Sequence, residues 1–342
     1  MINTNECKGT ATSVAFQLVS MLISGSIILG IIWYESRLFR SLDEEPQLFS
    51  ITPEKAFAFG GTPAIVEVGL TINAFSIFDT LANNFAFAGT LWFEFDPSMI
   101  SLESVQKNLF EKSDMVSLSE PRIKVIGRKL FVAYDIKIKK QDNLSHVFFP
   151  FSGHQIHLVI DNIATPSELV FSSSIDSFKL HGPVSGWRVE TKRVETGYSV
   201  SELKTGDTLK TIYHPRVVFT IDFALAGIRQ LLIILFPLIL IFYISVFTFS
   251  MNPVTNLRSI ISLSSASVTG LLAFRFVIEN LSPKVGYFMI SDYLFFLFLG
   301  MTCIVFFVNA LSLELCSRTK QYVTVVLHSI VIALLFYLLH VG

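Results

Sequence analysis

The chain has 342 residues, of which 51% are hydrophobic and only 15% are charged, whereas about 25% of the residues in an ordinary soluble domain are charged. These figures argue against a purely soluble protein, and a net charge of −1 argues against nucleic acid as a partner. The three cysteines, Cys7, Cys303 and Cys316, have neither disulfide-framework nor metal-site spacing, so no metal or other cofactor is expected. Of the charged residues, 41 lie between Ser36 and Gly227, so a polar middle separates two apolar ends.

The first apolar run covers residues 13–34, which carry no charge and are numerous enough to cross a hydrocarbon core of about 30 Å. A cleavable signal peptide is the alternative, but its charged region would hold only Lys8 against Glu6, and no small-residue cleavage site follows the run. We therefore interpret this run as an uncleaved signal-anchor helix. It follows a short cytoplasmic N-terminus (1–12) and precedes a linker (35–52).

Residues 53–225 have the pattern of a β domain. Apolar and polar residues alternate over 64–72, 90–95 and 129–138, and Gly, Pro, Asn and Asp separate these stretches. The pattern is typical of a sandwich rather than of βαβ units, and the segment is long enough to bury its own core. We predict an extracytoplasmic all-β, immunoglobulin-like sandwich that serves as a ligand-binding-like domain.

The last third, residues 226–342, is predicted to be a transmembrane domain of four helices, at about 228–249, 257–279, 287–311 and 321–341. The basic residues of its loops favour a cytoplasmic position for Asn252–Arg258 and for Cys316–Lys320. This topology places the N-terminus in the cytoplasm and the β domain and C-terminus outside it. We expect a multi-pass protein of the plasma membrane, specifically a bacterial inner membrane.

The helix at 257–279 is unusually polar for a lipid-facing segment. Steps of three or four residues from Arg258 define one face, which consists of Ser262, Ser265, Ala266, Thr269, Ala273 and Phe276. Polar groups at membrane depth are costly unless they face a bundle interior or a water-filled cavity, so this face predicts a pore enclosed by several copies of the helix. The alternative is that the hydroxyls bond to their own backbone or to neighbouring helices.

From about Pro63 to its C-terminus, the chain resembles the pentameric ligand-gated ion channels, the Cys-loop receptor superfamily, and most closely the prokaryotic type. The local matches are Phe149-Pro150-Phe151-Ser152-Gly153-His154-Gln155-Ile156-His157-Leu158 with the signature loop, Pro283–Tyr287 with Asp292, Gly186-Trp187, and Pro237 in the first helix of the membrane domain. There are also departures from the pattern. The two bracketing cysteines are absent, so we expect packing around Pro150 alone to hold the loop, and Ser152 replaces the usual aspartate. The 316–320 loop is very short, and the 13–34 helix is additional.

The resemblance implies a homopentamer that is gated by a small-molecule ligand or by protons, with ions crossing a central pore and lipid around it. It places Arg258 at the cytoplasmic mouth, where a ring of guanidinium groups would prefer anions. The alternative for Arg258 is contact with lipid phosphate as an ordinary interfacial residue. Phe276 is the expected constriction, and Thr269 is expected to remain wetted. We expect Arg275 and Glu279, four residues apart on one helical face, to pair with each other, and the alternative for them is to concentrate ions at the external mouth.

The resemblance also implies residues for gating and for ligand binding. Coupling would join the β domain to the pore through Phe149, Pro150, Phe151, Pro283, Lys284, Tyr287, Asp292 and Arg229. Family ligand sites lie between subunits and are lined by aromatic residues, for which the candidates by position are Trp187, Tyr198 and Tyr134. The alternative for these three is a place in the core. Proton sensing would use His146, His154, His157 and His181, although ordinary surface or core positions are the alternative for each.

Two other classes of function stay open at this point. The first is a membrane receptor or sensor with the same fold that does not conduct, and the second is a transporter or membrane-enzyme subunit. The chain has no H-E-x-x-H, G-x-S-x-G or P-loop motif, so we do not expect an enzyme.

Overall fold

The computed structural model describes residues 10–51, 55, 62–111, 113–205 and 208–340. The chain divides into two compact units. The first, called the helical unit here, comprises the chain up to Arg40, the loop His146–Ser152 and everything from Gly227 onwards. The second, called the β unit, comprises Ser41–Ser145 and Gly153–Ala226.

The β unit is built from two sheets. Its strands are β1 (Ala64–Asp79), β2 (Asn84–Phe95), β3 (Asn108–Phe110), β4 (Ser113–Leu118), β5 (Arg122–Ile126), β6 (Lys129–Gln141), β7 (His154–Asn162), β8 (Leu169–Ser172), β9 (Phe178–Leu180), β10 (Trp187–Thr205) and β11 (Thr208–Leu225). The larger sheet has the order β4-β6-β2-β1-β8, with β5 beside β6 and β9 beside β1, and the smaller sheet has the order β10-β11-β7-β3. The prediction of a β-rich middle segment is confirmed.

Alternation along the strands explains why the two sheets share one core. Every second side chain of β2 is buried, and the inward residues of β7 and β11 join the same hydrophobic cluster. Side chains of a strand point alternately to its two faces, so this pattern buries one face of each sheet. The large apolar groups at the centre of the cluster are Phe85, Phe87, Phe93, Phe95, Phe178, Phe219 and Phe223.

The linker after the first helix extends the smaller sheet at one point. Phe49 and Tyr198 exchange two backbone hydrogen bonds of 2.9 Å, which pair the linker with β10. Gly197 permits this close approach, because a Cβ atom there would lie 2.3 Å from the carbonyl oxygen of Phe49. The linker is therefore a structural part of the β unit from Ser41 onwards.

The helical unit contains five helices that are long and apolar enough to cross a membrane. They are α1 (Val14–Glu35), α3 (Arg229–Phe247), α4 (Pro253–Leu281), α5 (Ile290–Ala310) and α6 (Ser317–His340). The short helix α2 (Leu102–Gln106) belongs to the β unit. One long apolar helix near the N-terminus and four near the C-terminus agree with the predicted apolar runs.

Two predicted helix starts were wrong by about one turn. Helix α4 begins at Pro253, since the side chain of Asn252 accepts a hydrogen bond from the Val254 amide and caps the helix. The expected loop Cys316–Lys320 is largely the first turn of α6, which starts at Ser317. Lys320 is buried there, with its Nζ 3.4 Å from the carbonyl oxygen of Thr10, so it does not act as an exposed loop charge.

Helix α1 is joined to the other helices by polar side chains. Gln17 donates to Thr324 at 3.1 Å, the Ser20 hydroxyl lies 2.8 Å from His328 Nδ1, and Ser24 lies 2.9 Å from the hydroxyl of Tyr243. These three α1 residues follow one another at helical spacing and so share a face. At the start of the helix, the amide of Thr12 donates to Phe249 and the amide of Ser317 donates to Thr10. The start of α1, the turn after α3 and the start of α6 therefore lie at one end of the helical unit.

Candidate functional site

The clearest candidate site is one side of α4. All seven residues of the predicted pore face are exposed: Arg258, Ser262, Ser265, Ala266, Thr269, Ala273 and Phe276. The opposite side packs into the helical unit through Ile260, Ser264, Ser267, Leu271 and Ile278, which are buried. The polar stripe found in the sequence therefore lies on the side of α4 that is not covered by any described part of this chain.

The sequence left two alternatives for the hydroxyl groups of α4, either a pore-lining position or bonding to the backbone and to neighbouring helices. Different hydroxyls of α4 fit each of them. Ser264 accepts a hydrogen bond of 2.6 Å from Asn309 of α5, and Ser267 donates to the carbonyl oxygen of Leu263 at 3.0 Å. These two groups join helices or bond back to the backbone, as hydroxyls often do in membranes. By contrast, Ser262 and Ser265 make no side-chain hydrogen bond within the described part of the chain. The exposed Thr269 also bonds back, to the carbonyl oxygen of Ser265 at 3.1 Å, so on the predicted pore face only the hydroxyls of Ser262 and Ser265 are without a partner among the described residues.

Arg258 lies near the start of this exposed side. Asn256, two residues earlier, departs from helical geometry (φ −126°, ψ 22°), so the helix is irregular at this point. The Arg258 side chain is exposed and has no ion-pair partner among the residues that the structure describes. Together with Ser262 and Ala266 it lines a shallow depression of about 490 Å³. A cation is thus presented beside small hydroxyl-bearing side chains.

At the far end of α4, the ion pair of Arg275 differs from the predicted one. Arg275 pairs with Asp292 of α5 and not with Glu279, and its guanidinium lies 5.5 Å from the ring centre of Phe295. Asp292 is favoured because its carboxylate is already fixed at the start of α5, where it accepts the Met289 amide at 2.8 Å. Glu279 is exposed. Arg275 is therefore held against α5 and is not free to line the exposed face.

A groove of about 940 Å³ opens at the same end of α4. Phe276, Glu279, Lys284, Tyr287 and Asp292 are among the residues that line it. Four of the predicted coupling residues, counting Pro283, therefore border one concave surface together with the predicted constriction residue.

The loop His146–Ser152, called the coupling loop here, binds the start of α5. The amides of Ile290 and Ser291 donate to the carbonyl oxygens of Val147 and Phe149 at 2.9 and 3.0 Å, and the Tyr287 hydroxyl accepts from the amide of His146 at 2.9 Å. The first amides of a helix lack partners within the helix, so the loop satisfies two of them. The structure thus brings the predicted loop and Tyr287 together.

The remaining predicted coupling residues have different surroundings. Phe149 and Phe151 are buried in the core of the helical unit, and Pro150 is buried and follows a cis peptide bond. Lys284 and Arg229 are both exposed, and neither has an ion pair or side-chain hydrogen bond in the described ranges. Among the described residues, neither of these two cations therefore has a polar contact with the loop.

Asp43, in the β unit, bonds to residues on both sides of the coupling loop in the sequence. Its Oδ1 accepts the amide of Ser145 at 2.6 Å, and its Oδ2 accepts the amide of Gln155 at 2.7 Å and the hydroxyl of Ser41 at 2.7 Å. The side chain is 3% exposed, and Nδ1 of His154 lies 3.5 Å from Oδ2. Burial alone would raise the pKa of Asp43, but His154 and these hydrogen bonds outweigh it and lower the pKa. The expectation that packing around Pro150 alone holds the loop was wrong.

The predicted ligand-binding aromatics do not form one cluster within the chain. Tyr134 lies in the core of the β unit and accepts a 2.7 Å hydrogen bond from Gln106. Trp187 packs on the rings of Phe78 and His154. Tyr198 is eleven residues further along β10, roughly 35 Å at about 3.3 Å per residue. A single cage built from these three side chains of one chain is therefore excluded.

The predicted proton-sensing histidines are also dispersed. His146 lies in the coupling loop, His181 is exposed, and His154 and His157 are buried on β7. Burial, with a further contribution from the charge of Lys140, lowers the pKa of His157. In the described residues, no group of three or more His, Cys, Asp or Glu side chains is placed to hold a metal ion.

A second cavity, of about 510 Å³, lies within the β unit. It is lined by the carboxylates of Glu44, Glu45, Glu111, Asp142 and Asp161, by the cations of Lys140 and Arg216, and by His157 and His214. Arg216 is buried and bonds to both oxygens of Asp161 at 2.7 Å and to Glu111 at 2.9 Å. The lining has more carboxylates than cations, and the two cations are already paired.

No known protein family matches the sequence, and no curated protein matches it. The described residues define a protein with a β-rich part of two sheets and with helices at both ends of the chain that are able to span a membrane.

Proposed function

We propose that the protein is a ligand- or proton-gated ion channel, a homopentamer whose central pore is lined by the exposed side of α4. The observation that carries the proposal is the position of the polar stripe on a membrane-length helix, where Arg258 and the hydroxyls of Ser262 and Ser265 are exposed and have no polar partner among the described residues. In hydrocarbon such a face would be costly, whereas around a water-filled axis it would be solvated. One helix cannot enclose an axis, so the proposal requires several copies.

The burial of the helices supports the same arrangement. In the most apolar part of each helix, 22% of the residues of α4 are buried, compared with 50% for α3 and 44% for α5. Helix α4 is also the most polar of these three spans, with a mean hydropathy of 1.6 against 2.8 and 2.1. Helix α1 is as little buried as α4, at 22%, but its mean hydropathy is 2.1, so α4 differs from α1 in polarity and not in exposure. A helix that is more polar than the other four and more exposed than α3 and α5 fits a position beside water.

We further propose that the pore prefers anions. Five Arg258 side chains around one axis would repel cations and attract anions at close quarters. The exposed guanidinium has no carboxylate within salt-bridge distance among the described residues, so its charge is not neutralised within the chain. Contact of Arg258 with lipid phosphate is the competing explanation.

The proposed orientation in the membrane follows from the helix ends. The start of α1, the turn before α4 and the start of α6 lie together, and Arg258 and Arg318 are near this end. By the positive-inside rule, this end belongs in the cytoplasm and the β unit outside it. A bacterial inner membrane would be the matching location.

Planar-bilayer recording of the purified protein in a KCl gradient tests the proposal, with pH steps from 8 to 4 as the stimulus. We expect current whose reversal potential lies near that of chloride. Arg258→Glu should shift the reversal potential towards potassium, while Arg318→Glu serves as the control for a second basic residue near the same end. If Arg258→Glu keeps the wild-type selectivity, the anion assignment is wrong. A pentamer that passes no current under any stimulus would instead indicate a non-conducting receptor.

A further inference from the structure

Two residues of the segment that follows α1 contact the coupling loop or the chain on either side of it. Arg40 belongs to the helical unit, where its guanidinium lies 5.8 Å from the ring centre of Phe148 in the loop. Asp43 belongs to the β unit, where it accepts the amides of Ser145, which directly precedes the loop, and of Gln155, three residues after the last loop residue. Only two residues of chain lie between Arg40 and Asp43.

Arg40 is itself fixed to the ends of two helices. It forms a 2.6 Å ion pair with Glu35, the last residue of α1, and donates to the carbonyl oxygen of Leu339 near the end of α6. His340 lies 3.6 Å from the same glutamate. The segment after α1 therefore leaves the helical unit from an anchored position.

The Asp43 carboxylate closes the base of the loop. One buried group accepts two backbone amides that are ten residues apart in the chain, which fixes the distance between Ser145, directly before the loop, and Gln155, three residues after it. Hydrogen bonds from amides to a carboxylate are among the stronger ones in proteins. The closed loop presents the carbonyl oxygens of Val147 and Phe149 to the first amides of α5.

We propose that Asp43 is a positioning residue for the coupling loop, so that the segment following α1 holds this loop on the start of α5. If the loop transmits opening to α4, as the proposed function requires, the additional N-terminal helix and its linker form part of the gating apparatus. The positioning role itself is independent of conduction.

Hydrogen–deuterium exchange of the full-length protein in lipid nanodiscs tests the positioning role. Peptides covering 143–157 and 287–293 are compared between wild type, Asp43→Asn and the control Glu44→Gln, which changes the adjacent, exposed carboxylate. Asp43→Asn should speed exchange roughly tenfold at the amides of Ser145 and Gln155, because the charged acceptor is lost. It should also speed exchange at the amides of Ile290 and Ser291, which Asp43 does not touch, while Glu44→Gln behaves as wild type.

Faster exchange confined to Ser145 and Gln155 would overturn the proposal, since the carboxylate would then act only locally. Unchanged exchange in both peptides would also overturn it. If Asp43→Asn does not fold, Ser41→Ala replaces it, because this variant keeps the carboxylate and removes only the Ser41 hydroxyl, which donates to that carboxylate and accepts the Asp43 amide. It should produce a smaller increase at the same four amides, and no increase at Ile290 and Ser291 would contradict the proposal.

Bilayer recording with the same pH steps adds the functional measurement. Asp43→Asn should lower the open probability at least severalfold, whereas Glu44→Gln should match wild type. Unchanged gating in Asp43→Asn, in a wild-type channel that conducts, would contradict the role in gating. If the wild type itself does not conduct, the proposed function fails while the exchange result still decides the positioning role.

Discussion

Polar side chains of this protein occur in two contrasting settings. Inside the two units many of them are buried and paired, as in the bonds of Gln17 to Thr324 and of Asn309 to Ser264, although the buried hydroxyls of Ser245 and Thr302 have no partner in the described part of the chain. On the exposed side of α4, Arg258 and Ser262 have neither an ion pair nor a side-chain hydrogen bond among the described residues. Buried polar groups are nearly always satisfied, because leaving one unpaired costs free energy. The contrast supports the proposal that this side of α4 faces water or further copies of the chain.

The largest expected loss of stability concerns the charge pairs of the β unit, where a buried pair can be compared with an exposed one. Arg216→Ala leaves the carboxylates of Asp161 and Glu111 without their buried partner, which we expect to cost about 3–5 kcal/mol in the free energy of unfolding. Arg122→Ala is the matched control, because Arg122 also forms a two-bond pair, with Asp135, but both side chains are more than half exposed.

The control should lose less than about 1 kcal/mol, since exposed ion pairs contribute little. Guanidinium-induced unfolding in detergent, followed by tryptophan fluorescence, measures both variants. Equal losses for the two variants would show that burial does not distinguish the two kinds of charge pair.

A smaller effect is expected within the helices. Asn309→Ala removes the donor that bonds to Thr248 and Ser264, each at 2.6 Å, and should cost about 1 kcal/mol. Ser262→Ala on the free side of α4 should change the stability of the subunit by less than about 0.5 kcal/mol, because its hydroxyl has no partner in the described chain. Unfolding in mixed detergent micelles compares the two. A larger loss for Ser262→Ala would mean that this side is packed within the subunit.

The smallest expected effect is the acid dependence contributed by Asp43. Its pKa lies below the ordinary value in the folded protein, so the folded state favours the ionised form more than the unfolded state does. The resulting stabilisation is fully present above the unfolded pKa, near 3.8, and is lost as the pH falls through the lower folded pKa. Stability measured between pH 7 and pH 3 should fall less steeply in Asp43→Asn than in wild type. A steeper fall in the variant would contradict the assigned direction.

Features set by local pattern could be predicted from the sequence. Strand alternation in β2 and the apolar runs of the five helices depend on neighbouring residues alone, and both agree with the structure. Helix starts were less accurate, because the cap at Asn252 and the contact of Lys320 with Thr10 depend on side-chain geometry. Hydropathy does not report either of these contacts.

Features set by distant contacts could not be predicted. Asp43 lies about a hundred residues before the loop that it closes, and no motif marks it. The choice of Asp292 over Glu279 as the partner of Arg275 depended on how α5 packs beside α4. The bonds of α1 to other helices could have been predicted in part. Gln17, Ser20 and Ser24 recur at helical spacing in α1, and this pattern indicates a polar face that needs partners.

The central claim is that the exposed side of α4 faces a water-filled axis shared by five copies. Electron cryomicroscopy of the full-length protein in lipid nanodiscs tests it most directly. We predict particles with fivefold symmetry, with α4 nearest to the axis and with Arg258, Ser262 and Thr269 directed towards it. A particle of another symmetry, or a fivefold particle in which a different helix lines the axis, would contradict the account.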